Sequence, residues 1–353
     1  MPKPKKALAD LQRTKPPRYS RHDYLRLDMN EGVPGLPSGF VKGILAGIDS
    51  KWLAAYPEYH TLQDRLAVHN GLPPENFILS NGSDGAIKYI FDAYVSPGDR
   101  VLLTDPTFAM YPVYCRMFEA EPLMVPYGPD LSFPWQEFLD RMVPGVLLAV
   151  VVNPNNPTGS ALPASRIIEM ARHAAVHKIL LLVDEAYFYY YPETVIQAVK
   201  EFENLIVLRT FSKLCGLAAL RLGYAAACPA VIENLRKVRP TFDINGLAVR
   251  FAAKLLEEPA IIQGLIQAAR EGKEFLMQKL SEAGIPYVAG DANFVLIGCH
   301  DRVNDIVSGL AAAKILVSGG FRHDFLKDYV RVTVGNREVM EYFWEKFIEV
   351  WYK

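Results

Sequence analysis

The sequence predicts an α/β layered domain on a mostly parallel sheet, followed by a smaller α+β unit. Strand-like and helix-like segments alternate from about residue 64 to 227, the pattern of βα repeats with helices over the sheet. The runs VLLAVVV (146–152) and ILLLV (179–183) are continuously apolar rather than alternating, as strands buried on both faces are. After about residue 245 the texture changes to long amphipathic helices and short strands.

Taken in order, FILS (77–80) leads into a turn and the helix AIKYIFDAYV. VLLTD (101–105) is followed by a Pro/Thr/Phe turn and a second helix. VLLAVVV runs into an Asn/Pro turn and a helix around 164–177, and ILLLVDEAY and LIVLRT supply the next strands. A helix through 246–257 is expected to connect the two units, with a second helix at roughly 259–283. Short strands are expected near 285–288, 293–297, 315–317 and 329–334, before a final helix at 337–352. The expected division is an arm (1–35), a large domain (36–245) and a small domain (246–353). The arm is basic (Lys3, Lys5, Lys6, Arg13, Lys15) and proline-containing, without the apolar core of a secretion signal. It reads either as a strap over the active-site mouth or a partner subunit, or as a disordered tail.

Composition excludes several classes. The 353 residues are 50% hydrophobic and 22% charged, with net charge −1. That describes a soluble globular protein with no electrostatic footprint for nucleic acid. The apolar runs are far shorter than the ~20 residues of a membrane span. Four scattered cysteines (Cys115, Cys215, Cys228, Cys299) have no metal-like spacing or disulfide density, pointing to a reducing cytoplasm.

The most informative stretch is VLRTFSKLCGLAALRLGY (207–224), where Lys213 follows Ser212 and precedes Arg221. A lysine leaving a buried strand needs a partner or a task. A serine and an arginine close by suit a phosphate, the arginine forking two donors onto its oxygens. Lysine plus phosphate is the chemistry of pyridoxal 5′-phosphate.

Other candidate groups follow strand ends, where open α/β sheets collect ligands. FILS ends in Asn81-Gly82-Ser83-Asp84-Gly85, immediately before a helix, where backbone amides and the helix dipole favour an anion. By itself the same stretch also reads as a plain N-cap. It lacks the first glycine of a hydrolase G-x-S-x-G elbow, and no P-loop or G-x-G-x-x-G occurs. VVNPNNPTG (151–159) fixes a rigid turn and offers the Asn156 amide as a donor; alone it is also an ordinary Asn-Pro turn. Asp184 closes the apolar run ILLLV. A carboxylate there should be pushed up in pKa unless a cation, such as a protonated pyridine nitrogen, pairs with it. Tyr187 is placed to reach that ring's oxygen; the competing reading has Asp184 cap a buried loop.

These motifs resemble the fold type I pyridoxal phosphate aminotransferases, within them the histidinol-phosphate aminotransferase branch. Similar segments run along the chain: LDMNEG (27–32), AAYPE (54–58), ENFILSNGSDGAI (75–87), DPTFAMY (105–111), NPNNPTG, DEAY, DANFVLI (291–297) and YVRVTVG (329–335). The resemblance implies a mostly parallel seven-stranded sheet flanked by helices and a smaller α+β C-terminal domain. Lys213 would bond the cofactor and later carry the proton, with Asp184 keeping the pyridine nitrogen protonated. Asn156 and Tyr187 would bind the ring oxygen, and Phe108 would stack on the ring. Backbone and side-chain donors of Ser83 and Asp84, with Ser212 and Arg221, would hold the phosphate. Tyr56 would reach the cofactor of a partner subunit, which implies a homodimer. Arg331 would grip the substrate anion, and the Asn30 segment would border the substrate site.

Two departures stand out. Ser318 occupies a place where the family usually carries a second arginine, and nearby Arg322 is offered as its replacement. Gly32 stands where the family's NENP has asparagine. The implied reaction exchanges an amino group between histidinol phosphate and 2-oxoglutarate through pyridoxamine phosphate, yielding glutamate. An aromatic or other amino-acid substrate stays open, as does a threonine-phosphate decarboxylase-like lyase. A non-catalytic sensor on the same fold is disfavoured by the motif lysine.

The remaining features read as structural. His173 and His177 lie four apart on a helix with no third ligand near in sequence. In the aromatic run 187–191 only Tyr187 is expected at the cofactor, and Cys215 is expected to fill space.

Overall fold

Strands that are apolar on both faces need cover on both, and the computed structural model supplies it. It describes residues 2, 6–8, 11 and 19–353. The strands are β1 (Leu25–Arg26), β2 (Phe77–Asn81), β3 (Arg100–Asp105), β4 (Glu121–Pro126), β5 (Val146–Val152) and β6 (Leu180–Asp184). They continue as β7 (Leu205–Thr210), β8 (Leu222–Ala227), β9 (Tyr287–Val288), β10 (Phe294–Gly298), β11 (Ile315–Leu316) and β12 (Tyr329–Thr333). The seven-stranded sheet has the order β2-β8-β7-β6-β5-β3-β4. β8 runs antiparallel to β2 and β7, and the other pairings are parallel.

Alternate residues of one strand enter opposite cores. Leu205 and Val207 face one cluster, Ile206 and Leu208 the other. The helix Ala164–Val176 covers the first face through Ile167, Met170, Ala171 and Ala174. Gly82–Tyr94 and Pro229–Val238 cover the second through residues such as Ile87, Ile90, Ile232 and Leu235. Each fully buried aliphatic side chain contributes roughly 1.5–3 kcal/mol relative to exposure.

A third cluster lies in the C-terminal part, where β12-β10-β9 form an antiparallel sheet. Against it pack Val303–Ala312 and Arg337–Trp351, through Ile306, Leu310, Met340, Phe343 and Phe347. The helix Gly246–Glu257, expected as the connector, buries Val249, Phe251 and Leu255 in the first core. The longer helix Pro259–Glu282 does the connecting, with Ile262 in that core and Phe275, Leu276 and Leu280 in the third.

Three features differ from the sequence expectation. The helix after β2 begins at Gly82, whose φ of +70° turns the chain straight out of the strand. The Ser83–Asp84 segment is therefore the helix's first turn, not a loop before it. β4 was not anticipated: EPLMVP is bracketed by prolines, which a sheet tolerates at an edge. Within the expected arm, β1 pairs with β11 and Leu27 enters the C-terminal core. The basic residues Lys3, Lys5, Arg13 and Lys15, with the Lys6 side chain, lie outside the described residues.

Candidate active site

Parallel strands share one carboxyl edge, so residues following β2, β3, β5, β6 and β7 converge there. β8 is antiparallel, and its starting end brings Arg221 to the same edge. One cavity is lined by Ser83, Asp84, Phe108, Asn156, Asp184, Tyr187, Ser212, Lys213 and Arg221. All nine were singled out in the sequence. Val152, Ala186 and Thr210 complete the wall.

One end of the cavity is built for an anion. The helix Gly82–Tyr94 opens there, and its first N–H groups have no partner within the helix. A Cβ on Gly82 would lie 2.6 Å from Arg221 Nη2, and one on Gly223 would run into the Ser83 amide nitrogen. Glycine at both positions lets cation and amides close on one small space. Arg221 sits at φ +54° and donates to Ser212 Oγ at 3.4 Å. The Ser83 hydroxyl and the backbone N–H groups of Ser83 and Asp84 are the donors this first turn offers an anion.

Asp184 is 2% exposed. Its Oδ2 accepts from Tyr111 Oη at 2.8 Å and its Oδ1 from the Ala186 N–H at 3.1 Å. Burial pushes its pKa up to about 6, against those hydrogen bonds and the nearby Lys213 charge. Tyr111 went unassigned because tyrosines in the DPTFAMY helix carry no mark separating a buried hydroxyl from a core ring. The Lys213 amine donates to the Met29 carbonyl at 3.1 Å and lies 5.7 Å from the Tyr187 ring centre. Burial, then the Arg331 charge, pushes its pKa down to about 8.

Beneath this floor Glu185 and Arg209 form an ion pair at 2.9 Å, their side chains 2% and 3% exposed. Arg209 also reaches Thr194 and Asn70 and lies 3.5 Å over the Phe188 ring. The pair ties the end of β6 to β7, the strands that deliver Asp184 and Lys213.

On the far side, Arg331 donates to Asn156 Oδ1 at 2.5 Å and to the Asp28 carbonyl at 2.7 Å. That leaves the Asn156 NH₂ as the donor facing the cavity. The buried Asn30 amide donates to the Tyr187 hydroxyl at 2.9 Å. Tyr187 is the member of the 187–191 run that lines the cavity.

Other expected residues fall elsewhere. Ser318 pairs backbone to backbone with Arg331. Arg322 lines a different cavity, with Pro112, Val113 and Arg116, rather than the one around Lys213. Gly320 lies just before Arg322 at φ +72°, and His323 next to it holds Asp105 at 2.7 Å. Tyr56 is 75% exposed and stacks on Phe242 away from the cavity. Gly32 is explained by a close approach, because a Cβ there would strike the Lys213 carbonyl and the Gly216 backbone. His173 bonds the Met142 carbonyl, and Cys215 is fully buried.

Comparison with known proteins agrees with this geometry. Residues 44–347 match the family model "Aminotransferase class I and II". A histidinol-phosphate aminotransferase of Thermoanaerobacter is 33% identical over 322 residues, 90% of each chain. Among solved structures, a Sinorhizobium meliloti histidinol-phosphate aminotransferase in complex with pyridoxal-5′-phosphate superposes with TM-score 0.85 at 24% identity, covering 93% of this chain and 91% of that one. An L-threonine-O-3-phosphate decarboxylase from Porphyromonas gingivalis shares the fold at TM-score 0.78 and 21% identity, covering 93% and 100%. Fold is therefore common to more than one reaction. With the family model spanning most of the chain and a relative alike along nine-tenths of it, the chain belongs to the class I and II aminotransferases.

Proposed function

We propose that this aminotransferase uses pyridoxal 5′-phosphate and takes histidinol phosphate as its amino donor, with 2-oxoglutarate as acceptor, in histidine biosynthesis. The observation that carries the cofactor reading is that Lys213 and the buried carboxylate of Asp184 line one cavity whose end is an anion cradle. The donor set fits: Ser83, Ser212 and Arg221 for the phosphate, Phe108 for the ring face, Asn156 and Tyr187 for the ring oxygen. Among the described residues the hydrogen bonds to the buried Asp184 carboxylate come from the Tyr111 hydroxyl and the Ala186 N–H rather than from a cation, which fits a protonated ring nitrogen.

When bound, the cofactor supplies an electrophilic carbonyl and a ring that withdraws electrons. Lys213 would supply the amine that holds the cofactor and, once the substrate's amine displaces it, would move the proton at the substrate's α-carbon, a task its lowered pKa suits. Asp184, oriented by Tyr111 and the Ala186 amide, would hold the proton on the ring nitrogen. Arg331 binds the substrate's anionic group, fixed by Asn156 and the Asp28 carbonyl.

The substrate reading is supported by the Arg331 cation and by the name carried by the 33% identical relative. It is tested by turnover with 2-oxoglutarate, comparing histidinol phosphate with phenylalanine. Preference for histidinol phosphate supports it, and preference for phenylalanine overturns it.

The working unit in this reading is a homodimer. Leu53, Tyr56 and Phe242 are 63%, 75% and 51% exposed, with Tyr56 stacked on Phe242, an apolar face that a second copy would cover. A second copy covering them brings Tyr56 to the partner's phosphate. The free cysteines support a reducing, cytoplasmic setting.

A further inference from the structure

We propose that the turn 28–31 is a rest for the Lys213 amine, holding it through the Met29 carbonyl while it is not bonded to the cofactor, and that an Arg21–Glu31–Arg26 ion cluster positions this rest. The inference depends on Lys213 being the cofactor-bonding lysine.

One short turn touches three functional groups. The Met29 carbonyl accepts from Lys213 Nζ at 3.1 Å and the Asp28 carbonyl from Arg331 Nη2 at 2.7 Å. The Asn30 amide donates to the Tyr187 hydroxyl at 2.9 Å. At Gly32 the chain runs so close to the Lys213 carbonyl that no Cβ fits. The turn therefore borders Lys213 at both its backbone and its amine. An amine that gives one N–H to a fixed carbonyl has its lone pair directed elsewhere, as proton transfer requires.

The turn is not held by local preference alone. Asn30 sits at φ +56°, a conformation non-glycine residues seldom adopt. It is held there by Thr333, whose Oγ1 accepts from the Asn30 N–H at 3.0 Å and donates to its Oδ1 at 3.2 Å. Outside, Arg21 reaches Glu31 at 2.8 Å and Asp28 at 2.5 Å, and Arg26 reaches Glu31 at 3.1 Å. These side chains are 18–31% exposed, so the pairs are less screened than surface ones. The charged groups acting on the amine are Arg331, Glu31, Asp184 and Arg221, with the Tyr187 phenol beside it. Glu31 favours the charged amine, so it bears on both its position and its proton.

The test uses the full chain loaded with pyridoxamine 5′-phosphate, in which Lys213 is free. Acetylation of Lys213 is followed against pH by peptide mass in the wild type and in Glu31→Gln. A second measurement follows single turnovers of the pyridoxal-loaded protein with glutamate and [2-²H]glutamate. In Glu31→Gln the labelling midpoint falls, the turnover rate drops about tenfold and the deuterium effect rises, with glutamate affinity kept within about twofold. Arg26→Gln, which removes one of the two ion pairs at Glu31, carries the isotope test should Glu31→Gln not fold. An unshifted midpoint in folded Glu31→Gln, or a wild-type deuterium effect in either folded variant, overturns the proposal; a lower melting temperature alone would mark a purely structural role. Pyridoxal loading must also protect wild-type Lys213 from acetylation. Without that protection the catalytic-lysine reading fails, rather than the positioning role.

Discussion

Asp184 and Lys213 both carry charge at a cost in the cofactor-free protein, and the cost gives a direct handle on the site. Asp184 binds its proton more tightly folded than unfolded, with a pKa near 6. Its favourable contribution is therefore present below about pH 4 and lost as pH rises through about 6. Asp184→Asn should stabilise the cofactor-free protein at pH 8 by roughly 2–3 kcal/mol, an advantage that shrinks towards pH 4. Urea unfolding at the two pH values measures it, and a pH-independent difference would refute the burial argument. Lys213 has the opposite sense. Its pKa is lowered to about 8, so its contribution is present above the unfolded value and lost as pH falls through about 8. At this scale the sequence was legible wherever a polar residue closed an apolar run, as at Asp184, or broke a rigid turn, as at Asn156. Tyr111 and Arg209 gave no such signal, because a tyrosine in a helix and an arginine in a strand look alike whether they serve the site or the core.

The elements matter through how closely they approach one another. Gly82 and Gly223 hold the first turn of the Gly82–Tyr94 helix against Arg221. Gly82→Ala would place a methyl group on that guanidinium and a side chain at φ +70°. Affinity for pyridoxal 5′-phosphate, read from absorbance titration, should fall at least about tenfold, equivalent to roughly 1.4 kcal/mol. Glu185→Gln tests the floor, since it leaves Arg209 buried with its charge unpaired; it should destabilise the fold by about 3–5 kcal/mol in denaturant unfolding. The central strands were legible because continuous apolar runs have few other destinations than a covered sheet. Pro122 and Pro126 hid the edge strand β4, and the start of the helix at Gly82 depends on a backbone torsion that only the fold reveals.

Across the whole molecule the layered architecture followed from the order of segments, whereas long-range pairings did not. The strand near 315–317 was expected, but nothing local marks Leu25–Arg26 as its partner, and two residues are too few to announce a strand. The same limit applies to Tyr56, which lies exposed on Phe242 away from its own chain's cavity and would serve a site only in the proposed homodimer. Mixing inactive Lys213→Ala with weak Tyr56→Ala should restore activity, because one site of each mixed dimer then has both residues intact. No recovery after subunit exchange would place Tyr56 outside the partner's site.

The most direct measurement is borohydride reduction of the pyridoxal-loaded protein followed by peptide mapping. The account predicts a single pyridoxyl group, carried by Lys213, with loss of the visible absorbance. A label on another lysine, or none, would contradict it.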